Sequence, residues 1–148
     1  MAATAWSIYN LAKKHIGNGV IKLGTDAFKI QLHTSASNAS TFTLSASSEL
    51  TNQVANGNGY TTGGKALASV IWTVGASAKQ YKFSSGNPIW TASGGNIANI
   101  KFAVIRNSVS AGGGKVLCWS RLTTAQFTLS DTNTLTIQMN ASGIFTLA

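Results

Sequence analysis

The side chains able to do chemistry in this chain are few and scattered. Cys118 is the single cysteine. It would act as a nucleophile only as a thiolate beside a general base, and the two histidines, His15 and His33, lie far from it along the chain. It sits in an alternating apolar run, Val116 to Leu122, where it reads as a small buried hydrophobe. His15 closes the only good helical stretch, and His33 falls on the polar, outward side of an alternating strand. The acids are Asp26, Glu49 and Asp131. Acid–base catalysis would need two of them to converge, but each sits in or beside a turn or polar loop. For Asp26 and Asp131, turn chemistry is sufficient explanation. No His/Cys/Asp spacing matches a metal site.

One motif invites a phosphate. Gly59-Tyr60-Thr61-Thr62-Gly63-Gly64-Lys65-Ala66 has the Gly-x-x-x-x-Gly-Lys spacing of a loop that cradles phosphates. Ala66 stands where a hydroxyl should reach Mg²⁺, and a strand pattern follows where a helix should offer its N-terminus. The reading is therefore a flexible turn feeding a strand. These residues give a non-enzymatic chain with no catalytic, cofactor-binding or metal-ligating residue and no cofactor.

Eleven basic residues against three acids give a net charge of +8 over 148 residues, while charged residues make up only 9%, far below the usual ~25%. That balance suits an acidic partner, either nucleic acid or an acidic protein surface. A single-strand binder would line Trp6, Tyr9, Tyr60, Trp72, Tyr81, Trp90 and Trp119 along one positive groove. Most of these fall at alternating positions that read as core, and no run matches a helix-turn-helix, a zinc finger or an RNA-binding consensus. Nucleic acid ranks behind protein as the expected partner. No apolar run nears the ~20 residues that span a membrane, so no membrane partner is expected. One cysteine allows no disulfide within the chain.

The elements that must position these side chains are mostly strands. Ile8, Leu11, Ala12 and Ile16 fall at helical spacing, which predicts a helix over 6–16 with Thr4 or Ser7 as its cap, Lys13 and Lys14 near its end, and Gly17 as a left-handed stop. After Gly19 the period becomes two. Phe28, Ile30 and Leu32 point inward and Lys29, Gln31 and His33 outward, the pattern of a strand with one wet face. A short strand at 41–45 would bury Phe42 and Leu44. A polar, Gly-rich excursion fills 46–64. A long strand carries Ala66, Ala68, Val70, Trp72 and Val74 on one face, and another runs from Ile97 to Arg106. Further alternation marks Tyr81–Phe83, Ile89–Thr91, Val116–Leu122, Phe127–Leu129, Leu135–Met139 and Ile144–Leu147. About nine strands between Gly, Asn and Ser turns predict an all-β fold, a β-sandwich of jelly-roll type with one short N-terminal helix. The arm and helix would take residues 1–18 and the sandwich 19–148.

Four stretches stand out together: Tyr9-Asn10-Leu11-Ala12-Lys13-Lys14, then Ile21-Lys22-Leu23-Gly24-Thr25-Asp26-Ala27-Phe28-Lys29-Ile30 running into Leu32-His33-Thr34-Ser35, then Gly59 to Leu67, then Asn140-Ala141-Ser142-Gly143-Ile144. Together they resemble a family of small phage virion proteins, variously decoration, cement or tail proteins. The resemblance implies a capsid decoration or cement protein made in the host cytoplasm and placed on the virion surface. Its partner would be the major capsid protein, and it would itself be a dimer or trimer. A tail or fibre component is the alternative. Family members look more acidic, and the +8 of this chain departs from them. The interface candidates are the aromatic arm residues Trp6 and Tyr9, the helix lysines Lys13 and Lys14, and the strand lysines Lys22, Lys29, Lys82 and Lys101, which could meet an acidic capsid surface.

Overall fold

The alternation at Phe28–His33 becomes the centre of the molecule. In the computed structural model, which describes residues 5–108 and 114–148, the elements run β1 (Ser7–Ile8), α1 (Asn10–Gly17), β2 (Phe28–His33), β3 (Lys65–Ala66), β4 (Ile71–Val74), β5 (Tyr81–Ser84), β6 (Ile89–Thr91), β7 (Ile97–Ile100), β8 (Phe102–Asn107), β9 (Val116–Arg121), β10 (Phe127–Leu129), β11 (Thr134–Thr136) and β12 (Phe145–Leu147). A single turn of 3₁₀ helix covers Ser47–Glu49. All pairings are antiparallel.

The main sheet has the order β1-β9-β8-β2-β3. Its register runs from Phe28 opposite Asn107 to His33 opposite Phe102. One face carries Phe28, Ile30, Leu32, Ala103, Ile105 and Cys118, all buried. Smaller ribbons cover it: β12-β5-β4, β11-β6 and β10-β7. Phe83 of β5 meets Phe28 edge-on at 5.0 Å and stacks on Phe145 of β12 at 5.3 Å, which ties the layers together. The fold is thus all-β and sandwich-like with one short helix. The pairing does not trace the two four-stranded sheets of a jelly roll.

The expected wet face of β2 is not wet. Gln31 and His33 are buried, because segment 34–60 folds across the sheet and hydrogen-bonds along the stretch of β2 that β3 leaves unpaired: Val54 N–H donates to Leu32 O at 2.9 Å and Thr34 N–H to Asn52 O at 3.0 Å. Strand β8 buries Phe102, Ala103, Val104 and Ile105 in succession, as a strand covered on both faces does.

Other boundaries moved for local reasons. The helix starts at Asn10 because Ser7 and Ile8 pair with Trp119 and Cys118 and Tyr9 N–H donates to Leu117 O. Ser7 is therefore a strand residue and caps nothing, and Thr4 lies outside the described residues. The left-handed stop is Gly19, at φ +71°, with Gly17 still helical. No strand forms at 41–45, where Phe42 is 45% exposed and Leu44 alone is buried. The long strand from Ala66 breaks before Ile71, at a left-handed Ser69, and Ile97–Arg106 divides at Lys101, where β7 leaves to pair with β10.

Candidate docking surface

The Gly59–Lys65 loop is built for steric fit. Both Gly59 and Gly64 have positive φ, and a Cβ added to either would stand 2.2 Å from a backbone carbonyl oxygen, that of Thr91 or of Ile30. The loop N–H groups are used internally: Gly64 donates to Thr61 O at 3.0 Å and Thr62 to Asn56 Oδ1 at 3.0 Å. Lys65 donates to Ile89 O and lies over the Trp90 ring, while Arg106 Nη2 donates to Gly63 O at 2.9 Å. The loop threads between β2 and β6, where only glycine fits.

Most polar side chains within the molecule are satisfied one by one and do not converge; among the described residues the buried exceptions are Trp6 Nε1, Trp119 Nε1 and Arg106 Nε. His33 places Nδ1 3.0 Å from Thr51 O and Nε2 3.3 Å from Gln31 Oε1. Burial lowers its pKa, partly offset by the Thr51 carbonyl. The Tyr60 hydroxyl accepts from Leu32 N–H and from Gln53 Nε2, and burial raises its pKa. Cys118 is fully buried opposite Ile105 and Ile8, and desolvation pushes its thiol well up. The carboxylates serve three separate turns. Asp26 accepts from Lys22 N–H and Asn107 Nδ2, Glu49 from Ser45 and Ala46 N–H, and Asp131 from Thr132 N–H. Among the described residues, no three His, Cys, Asp or Glu side chains are placed to share a metal ion.

The surface is more informative. Of the expected interface residues, Tyr9 is fully buried with its hydroxyl bonded to Ala39 O, so it anchors the arm to its own sandwich and offers nothing to a partner. Trp6 is half-buried, and its indole N–H and that of Trp119 are enclosed without an acceptor among the described residues. Lys13, Lys14 and Lys22 are exposed, and Lys29, Lys82 and Lys101 are half-buried. They do not form one patch. Lys13 and Lys14 ride on α1, Lys29 lies on β2 of the main sheet, and Lys82 on β5 reaches Ala141 O at 3.2 Å. Lys101 lies over the Phe102 ring and lines a cleft of about 430 Å³ with Ala5, Ser7, Ser40, Trp119 and Arg121.

A second feature is apolar. On β12-β5-β4, Trp72, Phe83 and Phe145 share a face with Val74, Tyr81 and Leu147. The first three reach the core; the second three form a cross-strand row 46%, 46% and 38% exposed. Arg121, Ser40 and this row were not anticipated from the sequence, although period two does put Arg121 on the Trp119 side of β9. No described helix is long and apolar enough to cross a membrane. No family model, curated protein or solved structure matches this chain.

Proposed function

We propose that this chain is a structural protein of a phage particle, a decoration or cement protein that docks on the assembled shell of the major capsid protein and itself forms a dimer or trimer. The observation that carries the reading is the exposed row Val74, Tyr81 and Leu147, standing on a sheet whose inner half is locked into the core. Apolar and aromatic side chains held on a rigid strand surface cost little entropy on docking and dominate interface energetics. Ile71 and Ile89 add further exposed apolar area. Around them the surface is rich in Ser, Thr and Asn, which hydrogen-bond across a wet interface without ordering long charged chains. Binding only the assembled shell stabilises it by mass action.

The test is copy number and shell strength. Mass spectrometry of particles should give one copy per shell subunit or a simple fraction of that, and shells lacking the protein should rupture at lower temperature. Shells equally robust without it would overturn cementing, and a copy number far below that of the shell subunit would move the protein to the tail.

A further inference from the structure

We infer that Asn18 is a site of spontaneous covalent modification, where the Asn18–Gly19 turn closes to a succinimide and reopens as isoaspartate or aspartate, while the other two Asn-Gly pairs of the folded chain stay intact. The inference is independent of the docking reading above. Asn-Gly occurs at 18–19, 56–57 and 58–59. The chemistry belongs to the pair itself. The glycine backbone nitrogen attacks the asparagine Cγ, a C–N bond closes the ring, and the Cγ–Nδ2 bond breaks. The side-chain amide leaves as ammonia, carrying the proton that the attacking nitrogen gives up. Water then opens the ring at one of its two carbonyls, which yields aspartate or isoaspartate. Glycine favours the reaction because no side chain shields its nitrogen and its φ is unrestricted.

The fold separates the three pairs. Asn18 and Gly19 are exposed just beyond α1, and the Asn18 side chain has no hydrogen-bond partner among the described residues. Ring closure requires the 18–19 peptide to turn its nitrogen toward Cγ. Opposite rotations about Asn18 ψ and Gly19 φ turn that peptide alone and leave both flanks in place. Nothing lies within 4 Å of where a Gly19 Cβ would stand. The motion releases one backbone bond, Gly19 N–H to Ile16 O at 3.1 Å, while Asn18 N–H keeps Lys14 O and Val20 N–H keeps His15 O. Opening of this size at a helix end costs little.

The other two pairs are held at both reacting groups. Gly57 N–H donates to Tyr60 O at 2.8 Å, and Asn56 Oδ1 accepts from Thr62 N–H at 3.0 Å. Asn58 Nδ2 donates to Asn96 O at 2.9 Å, its carbonyl accepts from Ser93 N–H at 3.1 Å, and Thr91 O closes the space beside Gly59. Modification of Asn18 turns a neutral side chain into an anion and lowers the net charge of +8 by one. The new carboxylate stands at a helix C-terminus beside Lys14 and His15, where the dipole disfavours it.

The experiment holds the full chain at mildly alkaline pH, in native buffer and in parallel in urea, and then digests it at mildly acidic pH. Cleavage after lysine releases residues 15–22 and 30–65 as separate peptides. Tandem mass spectrometry reads, at each asparagine, the mass gained when ammonia is exchanged for water. In the folded chain Asn18 should react at least about tenfold faster than Asn56 or Asn58, a barrier difference of about 1.4 kcal/mol, and its products should include isoaspartate. In urea the three should react at similar rates. Gly19→Ala, checked for folding by its unfolding midpoint, should slow Asn18 by about tenfold or more. Similar rates at the three sites of the folded chain, faster reaction at Asn56 or Asn58, or an unreacted Asn18 would overturn the inference. Aspartate without isoaspartate would assign the reaction to direct hydrolysis and overturn ring closure, as would an unchanged rate in Gly19→Ala.

Discussion

Replacing Gly64 with alanine tests whether the Gly59–Lys65 loop is a steric device. Two costs combine. Gly64 has φ +85°, and a non-glycine residue in the left-handed region costs about 1–2 kcal/mol. The new Cβ would also stand 2.2 Å from Ile30 O and 2.7 Å from Ile30 C, where real contacts stay beyond 3.0 Å, so something must yield by about 0.8 Å. The atom that must yield is backbone in the central strand β2, hydrogen-bonded to β8 on one side and β3 on the other, and overpacking of this kind costs about 1–3 kcal/mol. The expected loss is about 2–5 kcal/mol, against a whole-domain stability of roughly 5–15 kcal/mol. The control is Gly19→Ala. Gly19 has φ +71° with nothing within 4 Å of the added Cβ, so it carries only the backbone cost of about 1–2 kcal/mol. Urea unfolding followed by tryptophan fluorescence gives both values, provided the slope m is unchanged. Equal losses for the two variants would refute the argument, because the carbonyl contact would then contribute nothing. A loop made for phosphate would behave differently: its stability should rise with added inorganic phosphate, and none of that is expected here.

Three further outcomes follow from the buried polar groups. Tyr60→Phe removes the acceptor for Leu32 N–H and Gln53 Nε2 and should cost about 1–3 kcal/mol in urea unfolding; a cost near zero would mean the hydroxyl is readily replaced. His33 has its pKa lowered by burial, so the sign is fixed. Above pH ~6.5 both states are neutral, and below it the unfolded chain takes up a proton that the folded chain resists, so stability falls as pH falls, by up to ~1.4 kcal/mol per unit, until the folded state protonates too. A His33→Gln chain should lose most of that slope, and an unchanged slope would assign it to other groups. Cys118, buried with its thiol pushed up, should react with a thiol reagent only at the rate of opening, and at once in denaturant; immediate reaction of the folded chain would contradict its burial.

What the sequence disclosed, and what it hid, divides along one physical line. Period two is a local property of a strand, so β2, β5, β6, β9 and β11 could be placed from the residues themselves. Whether the second face of a strand is covered depends on a distant segment, and here that segment is almost silent in hydropathy. Residues 34–60 are braced internally by polar bonds, Asn38 Nδ2 to Glu49 O, Thr51 N–H to Asn38 Oδ1 and Asn52 Nδ2 to Ala36 O, and are tied to β2 by Leu32, whose N–H donates to the Tyr60 hydroxyl and whose carbonyl accepts from Val54 N–H. Such a segment reads as loop in the sequence and acts as a lid in the fold. His33 was misplaced for this reason, since its alternation is correct and only its environment differs. Tyr9 was misplaced in a related way. An aromatic residue near a terminus can serve a partner or its own core, and the choice rests on the Ala39 carbonyl, thirty residues away, which accepts its hydroxyl proton.

The cleft was hidden by its composition from four elements. β1 brings Ser7, the turn before Phe42 brings Ser40, and β8 and β9 bring Phe102, Trp119 and Arg121. Each contribution looks ordinary alone, and only the antiparallel register of β1 on β9, with Ser7 opposite Trp119, sets them side by side. Charge sharpens the point. In a chain where 9% of residues are charged, few ionic contacts are available to any docking surface, so each cation that meets an acidic partner weighs more. Docking that uses exposed lysines beside the apolar row on β4, β5 and β12 should lose affinity with added salt while the row keeps its contribution; a docking constant insensitive to salt would place the binding energy in that row alone.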